Sequence, residues 1–172
     1  FTLLEWYRVG WDEFQLMQEI ETLITTVFNK FHQSAINTER LSYHDCFVQA
    51  LQLDPHSASL ESLQAMAVSQ GYAKWSNETR ANCLDLLFSE IIEPKLPSGL
   101  VTVYDYPACQ SALAQTYTDK HGRQVSRRFE VFLNCVELAN GYFELTDAQQ
   151  QRQRFTADIN YRSQANKPVM EI

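Results

Sequence analysis

The sequence runs to 172 residues, 45% hydrophobic and 12% aromatic, which suits one globular domain with its own core and excludes a disordered chain. A formal net charge of -7 excludes a bulk nucleic-acid surface, which needs clustered Lys and Arg. No apolar run reaches the length of a membrane span, and no signal-peptide pattern opens the chain.

Phe1 to Arg8 alternates, with Phe1, Leu3, Glu5 and Tyr7 on one face, so a strand is predicted there. Asp12 with Gln15 three residues on forms a capping box. The helix it opens carries Leu16, Ile20, Leu23, Ile24, Val27, Phe28 and Phe31 at core-facing spacing. Ser42 caps a second helix to about Leu51, ended by Asp54-Pro55. A third runs from near Ser59 to Gln70 with Gly71 as its stop, and a fourth from about Glu78 to Ile92 before Pro94. Residues 37–96 thus read as an accessory helical region, within one domain spanning 1–172, that flanks a sheet rather than builds a site. Pro97-Ser98-Gly99 reads as a linker, Leu100 to Tyr106 as a strand and Gln115 to Ser126 as a polar loop. Two strands follow, then a helix capped by Thr146 with Gln149. Helices first, strands later and hairpin connections give the α+β class, an antiparallel sheet with flanking helices.

Cys46, Cys83, Cys109 and Cys135 form no C-x-x-C pair and read as buried free thiols of a reducing cytoplasm. His32, His44, His56 and His121 are scattered and suit surface or turn positions. No Gly-rich phosphate loop is present. The informative stretch is Phe129 to Leu145, which sets Glu130, Glu137 and Glu144 among strand-forming residues, with breaks at Asn134 and Asn140-Gly141. A hairpin loop at Leu133-Asn134 would pair Val131 with Val136 and face Glu130 with Glu137. Like charges across a ladder are destabilising, and a cation or substrate between them would offset the cost. The alternative is a solvated, idle carboxylate pair. Glu5 and Tyr7, two residues apart on one strand face, suit a carboxylate and a phenol acting on one ligand; aromatic packing competes for Tyr7. Arg8, Arg127 and Arg128 read as solvated surface charges.

Phe1 to Arg8 resembles the strand that closes motif two of class II lysyl-tRNA synthetases and their relatives. Glu137 to Ala148 is similar to the segment ahead of motif three, and Val103 to Ala108 to the strand and turn between them. Trp6, Ala139 and the run Cys109 to Gln115 resemble the synthetase paralogue that attaches lysine or β-lysine to elongation factor P more than the synthetase proper. The resemblance implies part of a class II synthetase catalytic domain, in a longer protein that forms a homodimer. It also implies ATP and Mg²⁺ as cofactors, and lysine or β-lysine and elongation factor P as partners. Carried over by resemblance, Glu130 and Glu137 hold the metal, Glu137 and Leu138 line ATP, and Glu144 takes the side-chain ammonium of the amino acid. Glu5, Tyr7 and Asn140 complete the amino-acid pocket. No residue is assigned covalent catalysis, because adenylate formation asks for alignment and charge neutralisation. A lysyl-tRNA synthetase fragment with a tRNA acceptor, and a non-catalytic binding paralogue, are the alternatives.

Overall fold

A computed structural model describes residues 2–32, 35–164 and 167–169. Its 5-stranded sheet is mixed. Strand β1 (Thr38–Ser42) lies parallel to β2 (Leu100–Pro107), and β2 is antiparallel to the long β4 (Gln124–Leu133). The other edge of β4 is shared by β3 (Thr116–Thr118) near its start and β5 (Val136–Tyr142) near its end. The α+β class and the flanking helices hold, with the sheet mixed by the single parallel pair at β1.

Helix α1 (Glu13–His32) starts at the predicted box. The Asp12 amide donates to Gln15 Oε1 at 2.9 Å, and the Gln15 amide to Asp12 Oδ1 at 2.8 Å. Met17 and Ile20 of α1 pack on Leu100, Phe129 and Val131, closing one face of the sheet. Two buried carboxylates fasten the helix. Glu13, 4% exposed, accepts from Arg127 at 2.8 Å. Glu21, 8% exposed, accepts from Arg40 at 2.7 and 2.8 Å and from the Thr102 hydroxyl at 2.7 Å. Paired and hydrogen-bonded in this way, the charges tolerate burial; either one alone would not.

The opposite face is closed by α2 (Tyr43–Leu51), α3 (Leu60–Ser69) and α4 (Arg80–Leu87), capped by Ser42, Ser59 and Thr79. A π turn, Phe88–Ile92, and a 3-10 turn, Glu93–Lys95, follow α4. Tyr43 is the centre of this core, with ring centroids 4.8 Å from Phe47, 5.1 Å from Phe88 and 4.7 Å from Tyr106. Helix α5 (Ala148–Gln164) lies outside both cores, held by Arg154 on the carbonyls of Ala112 and Ala114.

Five local expectations are corrected. Residues 2–7 join no ladder, because Trp6 and Arg8 instead reach Glu19 on α1 at 3.0 Å and 2.9 Å; Phe1 lies outside the described residues, as do 170–172. Thr38–Ser42, assigned to the helical region, is a strand: Arg40 turns to Glu21 while Leu41 turns to the helical core, a period of two. Gln115 to Ser126 is no loop but the β3–β4 hairpin, its turn organised by the Asp119 carboxylate on the amides of His121 and Arg123, both 2.9 Å. The last helix is capped by Asp147, which accepts from the Gln150 amide at 2.8 Å, one residue later than Thr146. Cys46 and Cys83 are buried, but Cys109 is exposed and Cys135 half-buried; burial pushes the Cys46 thiol up to about 12, consistent with an inert core residue.

Gly141 faces the buried Phe129 ring so closely that an added Cβ would sit 2.4 Å from Phe129 Cζ. Gly141→Ala is expected to destabilise the fold by about 1–3 kcal/mol through overpacking, read as a lower urea midpoint.

Candidate functional site

The β4–β5 hairpin turns at Asn134-Cys135, one residue later than expected. Both residues hold left-handed backbone, φ 48° and 64°, the geometry of a tight type I′ connection. Asn134 also braces the start of β2, its amide donating to the Gly99 carbonyl and its Oδ1 accepting from the Gly99 amide, each at 2.9 Å. From this turn Leu133 pairs with Val136 and Phe132 with Glu137. The register then slips: Val131 pairs with Ala139 and Glu130 with Asn140, leaving Leu138 as the extra residue of a β-bulge.

Glu130 therefore does not face Glu137 directly, and the expected pairing is corrected. The bulge nonetheless gathers the nominated groups. Directly paired residues share a face, so Glu137, Asn140 and Tyr142 lie on the side of Arg128, Glu130 and Phe132. Without the extra residue, Asn140 and Tyr142 would turn toward α1. The strand break that reconciles the spacing of Glu137 and Glu144 is thus Leu138, while Asn140-Gly141 stays in the ladder.

Glu130 is held from two sides. Tyr106 donates its hydroxyl to Oε2 at 2.6 Å, and the Arg128 guanidinium pairs with Oε1. Arg128 also donates to Asn140 Oδ1 at 3.2 Å and the Gln110 carbonyl at 3.0 Å, with its guanidinium carbon 4.9 Å from the centre of the Tyr106 ring. Burial and the Glu130 charge push the Glu137 carboxyl above the usual glutamate range, with Arg128 opposing and Glu93 adding to the rise. Glu93, on the turn after α4, is raised in the same way by burial and by Glu130. It lies in the stretch read as remote from the site, and its only signal is the following Pro94, which ends the helical run.

The residues nominated for the amino acid are equally gathered. Tyr7 donates to Glu5 Oε1 at 2.7 Å, and the Tyr7 hydroxyl is raised by that bond first and by Glu144 and Tyr142 further down. Tyr142 is raised by burial, then by Glu144 and Glu5. Glu5, Tyr7, Tyr142 and Glu144 therefore lie within electrostatic reach of one another. Tyr7 is 65% exposed, so its phenol is presented rather than packed. Tyr142 was not nominated from sequence, although its place two residues before Glu144 put it on the same strand face. Leu138, 50% exposed, sits at the bulge itself. Arg8, Arg127 and Arg128 are not free surface charges: they pair with Glu19, Glu13 and Glu130, and Arg127 stacks 3.9 Å over Phe143.

Glu130 and Glu137 offer oxygen donors of the kind a hard divalent cation takes. Among the described residues no three His, Cys, Asp or Glu side chains are arranged to hold a metal, so phosphate oxygens and water would have to complete its shell. A hollow of about 1160 Å³ lies at the C-terminal ends of β1 and β2, lined in part by His44, His56, Arg80, Asp105 and Arg123. It contains none of the nominated residues, and several of its charged groups are already engaged. Arg80 bonds the Pro55 and Ala58 carbonyls, Arg123 pairs with Asp119, and Tyr117 donates to Asp105 at 3.0 Å. His44 lies on α2 and bonds Asp54 at 3.3 Å, so it is neither the surface nor the turn histidine expected; His56 does sit in a turn, with both ring nitrogens buried. The open face of β4 and β5 is the better site, because Glu137 and Glu144 there have no ion-pair partner among the described residues and Glu137 lies within the field of Glu130.

Residues 1–171 match the family of class II tRNA synthetases (D, K and N). The chain belongs to that family. It is 46% identical over 167 residues to the elongation factor P–(R)-β-lysine ligase of Pseudoalteromonas translucida, covering 95% of this chain and 49% of that protein. It is 40% identical to the enzyme of the same name from Edwardsiella ictaluri and 38% identical to that from Enterobacter sp. strain 638, each across 100% of this chain and 52% of the relative. The chain thus spans about half the length of the curated relatives it matches. Within the described residues of this family member, no helix is long and apolar enough to cross a membrane.

A carboxyl whose pKa is raised on folding contributes stability below its unfolded pKa and loses it as pH rises through the folded value. Glu137→Gln is therefore expected to raise the melting temperature of the ligand-free protein at neutral pH. The gain should vanish once the pH falls below the ordinary glutamate range, as read by thermal scans at the two pH values.

Proposed function

We propose that the full-length protein uses ATP and Mg²⁺ to activate lysine or β-lysine as an adenylate, and then acylates a lysine side chain of elongation factor P. The observation that carries this reading is the face on which Glu130, Glu137, Asn140 and Tyr142 are aligned, with Glu144, Glu5 and Tyr7 within electrostatic reach of one another and of Tyr142. One end of that face is suited to a cation and the other to ammonium groups.

In the first step an oxygen of the amino-acid carboxylate bonds to the α-phosphorus of ATP and the bond to the pyrophosphate oxygen breaks. In the second, an uncharged acceptor amine bonds to the acyl carbon, AMP departs with the electron pair of the broken C–O bond, and the amine loses a proton. Mg²⁺, when bound, would spread the negative charge of the phosphates. Glu130 and Glu137 would hold it, Glu137 and the exposed Leu138 would border the nucleotide, and the remaining work is orientation. Glu144 and Glu5 would receive the substrate's ammonium groups, which need oxygen acceptors once shielded from water. Tyr7, bonded to Glu5, and Asn140, bonded to Arg128, would fix the position of the bound amino acid.

The test is mass spectrometry of elongation factor P incubated with the full-length protein, ATP, Mg²⁺ and either lysine or (R)-β-lysine. The expected result is a mass gain of one aminoacyl group on a lysine, lost in Glu137→Gln. Unmodified factor alongside lysine-charged tRNA would replace this reading with that of a tRNA synthetase. Unmodified factor and uncharged tRNA would leave a binding paralogue.

A further inference from the structure

We propose that Arg128 is a positioning residue that locks Asn140, and with it the amino-acid end of the face, in a fixed relation to Glu130. The inference rests on the function proposed above. A surface arginine answering one carboxylate needs one side of its guanidinium. Arg128 uses Nε on Asn140 of β5, Nη1 on the Gln110 carbonyl and Nη2 on Glu130 of its own strand, while its plane approaches the Tyr106 ring. Three acceptors on separate pieces of backbone are thereby tied through one planar group, a task a lysine ammonium cannot reproduce because it is a single point charge.

The consequences of losing this group are unequal. Glu130 would keep the Tyr106 hydroxyl on its other oxygen. Asn140 has no other side-chain hydrogen bond among the described residues, so its amide would rotate freely. Glu130 is thus doubly held and Asn140 singly held. Arg128 acts on the amino acid through Asn140, and the effect of its loss falls on amino-acid binding more than on the cation end.

The test uses the full-length protein in amino-acid-dependent ATP–pyrophosphate exchange, comparing Arg128→Lys, Asn140→Ala and the double variant. Arg128→Lys and Asn140→Ala should each raise KM for the amino acid about tenfold, the scale on which supporting contacts act. The double variant should be no worse than the poorer single variant, since one residue works through the other. In Arg128→Lys the Mg²⁺ concentration giving half-maximal rate should stay within about twofold of the parent, because an ammonium still answers Glu130. A parental amino-acid KM in either single variant, or multiplied effects in the double, would overturn the role. So would an Arg128→Lys protein that fails to fold, because the sheet and the Tyr106–Glu130 bond do not need the guanidinium. Glu137→Gln in the same assay separates the two levels. Exchange retained there would overturn the proposed function, whereas exchange lost there with parental constants in Arg128→Lys overturns only the role of Arg128.

Discussion

The arrangement depends on one irregularity in backbone pairing, the extra residue at Leu138. Strand side chains alternate, so an unbroken ladder from the Asn134-Cys135 turn would deliver Glu137 to the Glu130 face and Asn140 and Tyr142 to the α1 face. One inserted residue restores the phase, and everything chemical on β5 then looks the same way. The residues turned inward by the slip are Ala139, packed beside α1, and Gly141, which leaves room for the Phe129 ring. The core therefore accepts the bulge only with small residues beneath it.

Fixing that hairpin falls to neighbours that are themselves constrained. Asn134 and Gly99 bond each other twice, and the Asn37 carbonyl accepts from the Leu100 amide at 2.8 Å, so the starts of β1 and β2 and the tip of the β4–β5 hairpin form one knot. Gly99 holds φ 108°, and a Cβ there would meet the Asn37 oxygen at 2.6 Å, so only glycine fits. On the far side, the buried ion pairs of α1 with Arg40 and Arg127 fix the helix that covers Phe129 and Val131. The polar face is consequently mounted on a rigid sheet, and its carboxylates keep their mutual repulsion in the absence of ligand.

Much of the fold was legible, and the failures have physical causes. Caps at Asp12, Ser42 and Ser59 and the stop at Gly71 were readable because a side chain or a missing Cβ acts locally. The strand Thr38–Ser42 was not, because five residues carry too little pattern and its stability comes from β2, 58 or more positions away in sequence. The turn was misplaced by one residue because Cys135 occupies a left-handed position where glycine or asparagine is the usual sign. That error alone put Glu130 opposite Glu137, and no residue type announces a bulge at Leu138. Glu130, Glu137, Glu144, Glu5 and Tyr7 stood out from strand patterning, while their individual roles came from likeness to the synthetase motifs. Glu93 and the multiple bonding of Arg128 were invisible, since both depend on contacts across segments that sequence order keeps apart.

The proposed function makes its sharpest demand on where a divalent ion goes. Paramagnetic broadening of backbone amide signals should be measured as Mn²⁺ is added to the full-length protein with a non-hydrolysable ATP analogue. Signals at Glu130, Glu137 and Asn140 should fade together at the lowest Mn²⁺ concentrations, while those at His56 and Asp119 around the other hollow persist. Fading at His56 and Asp119 first, or at Glu137 without Glu130, would contradict a shared cation face on β4 and β5.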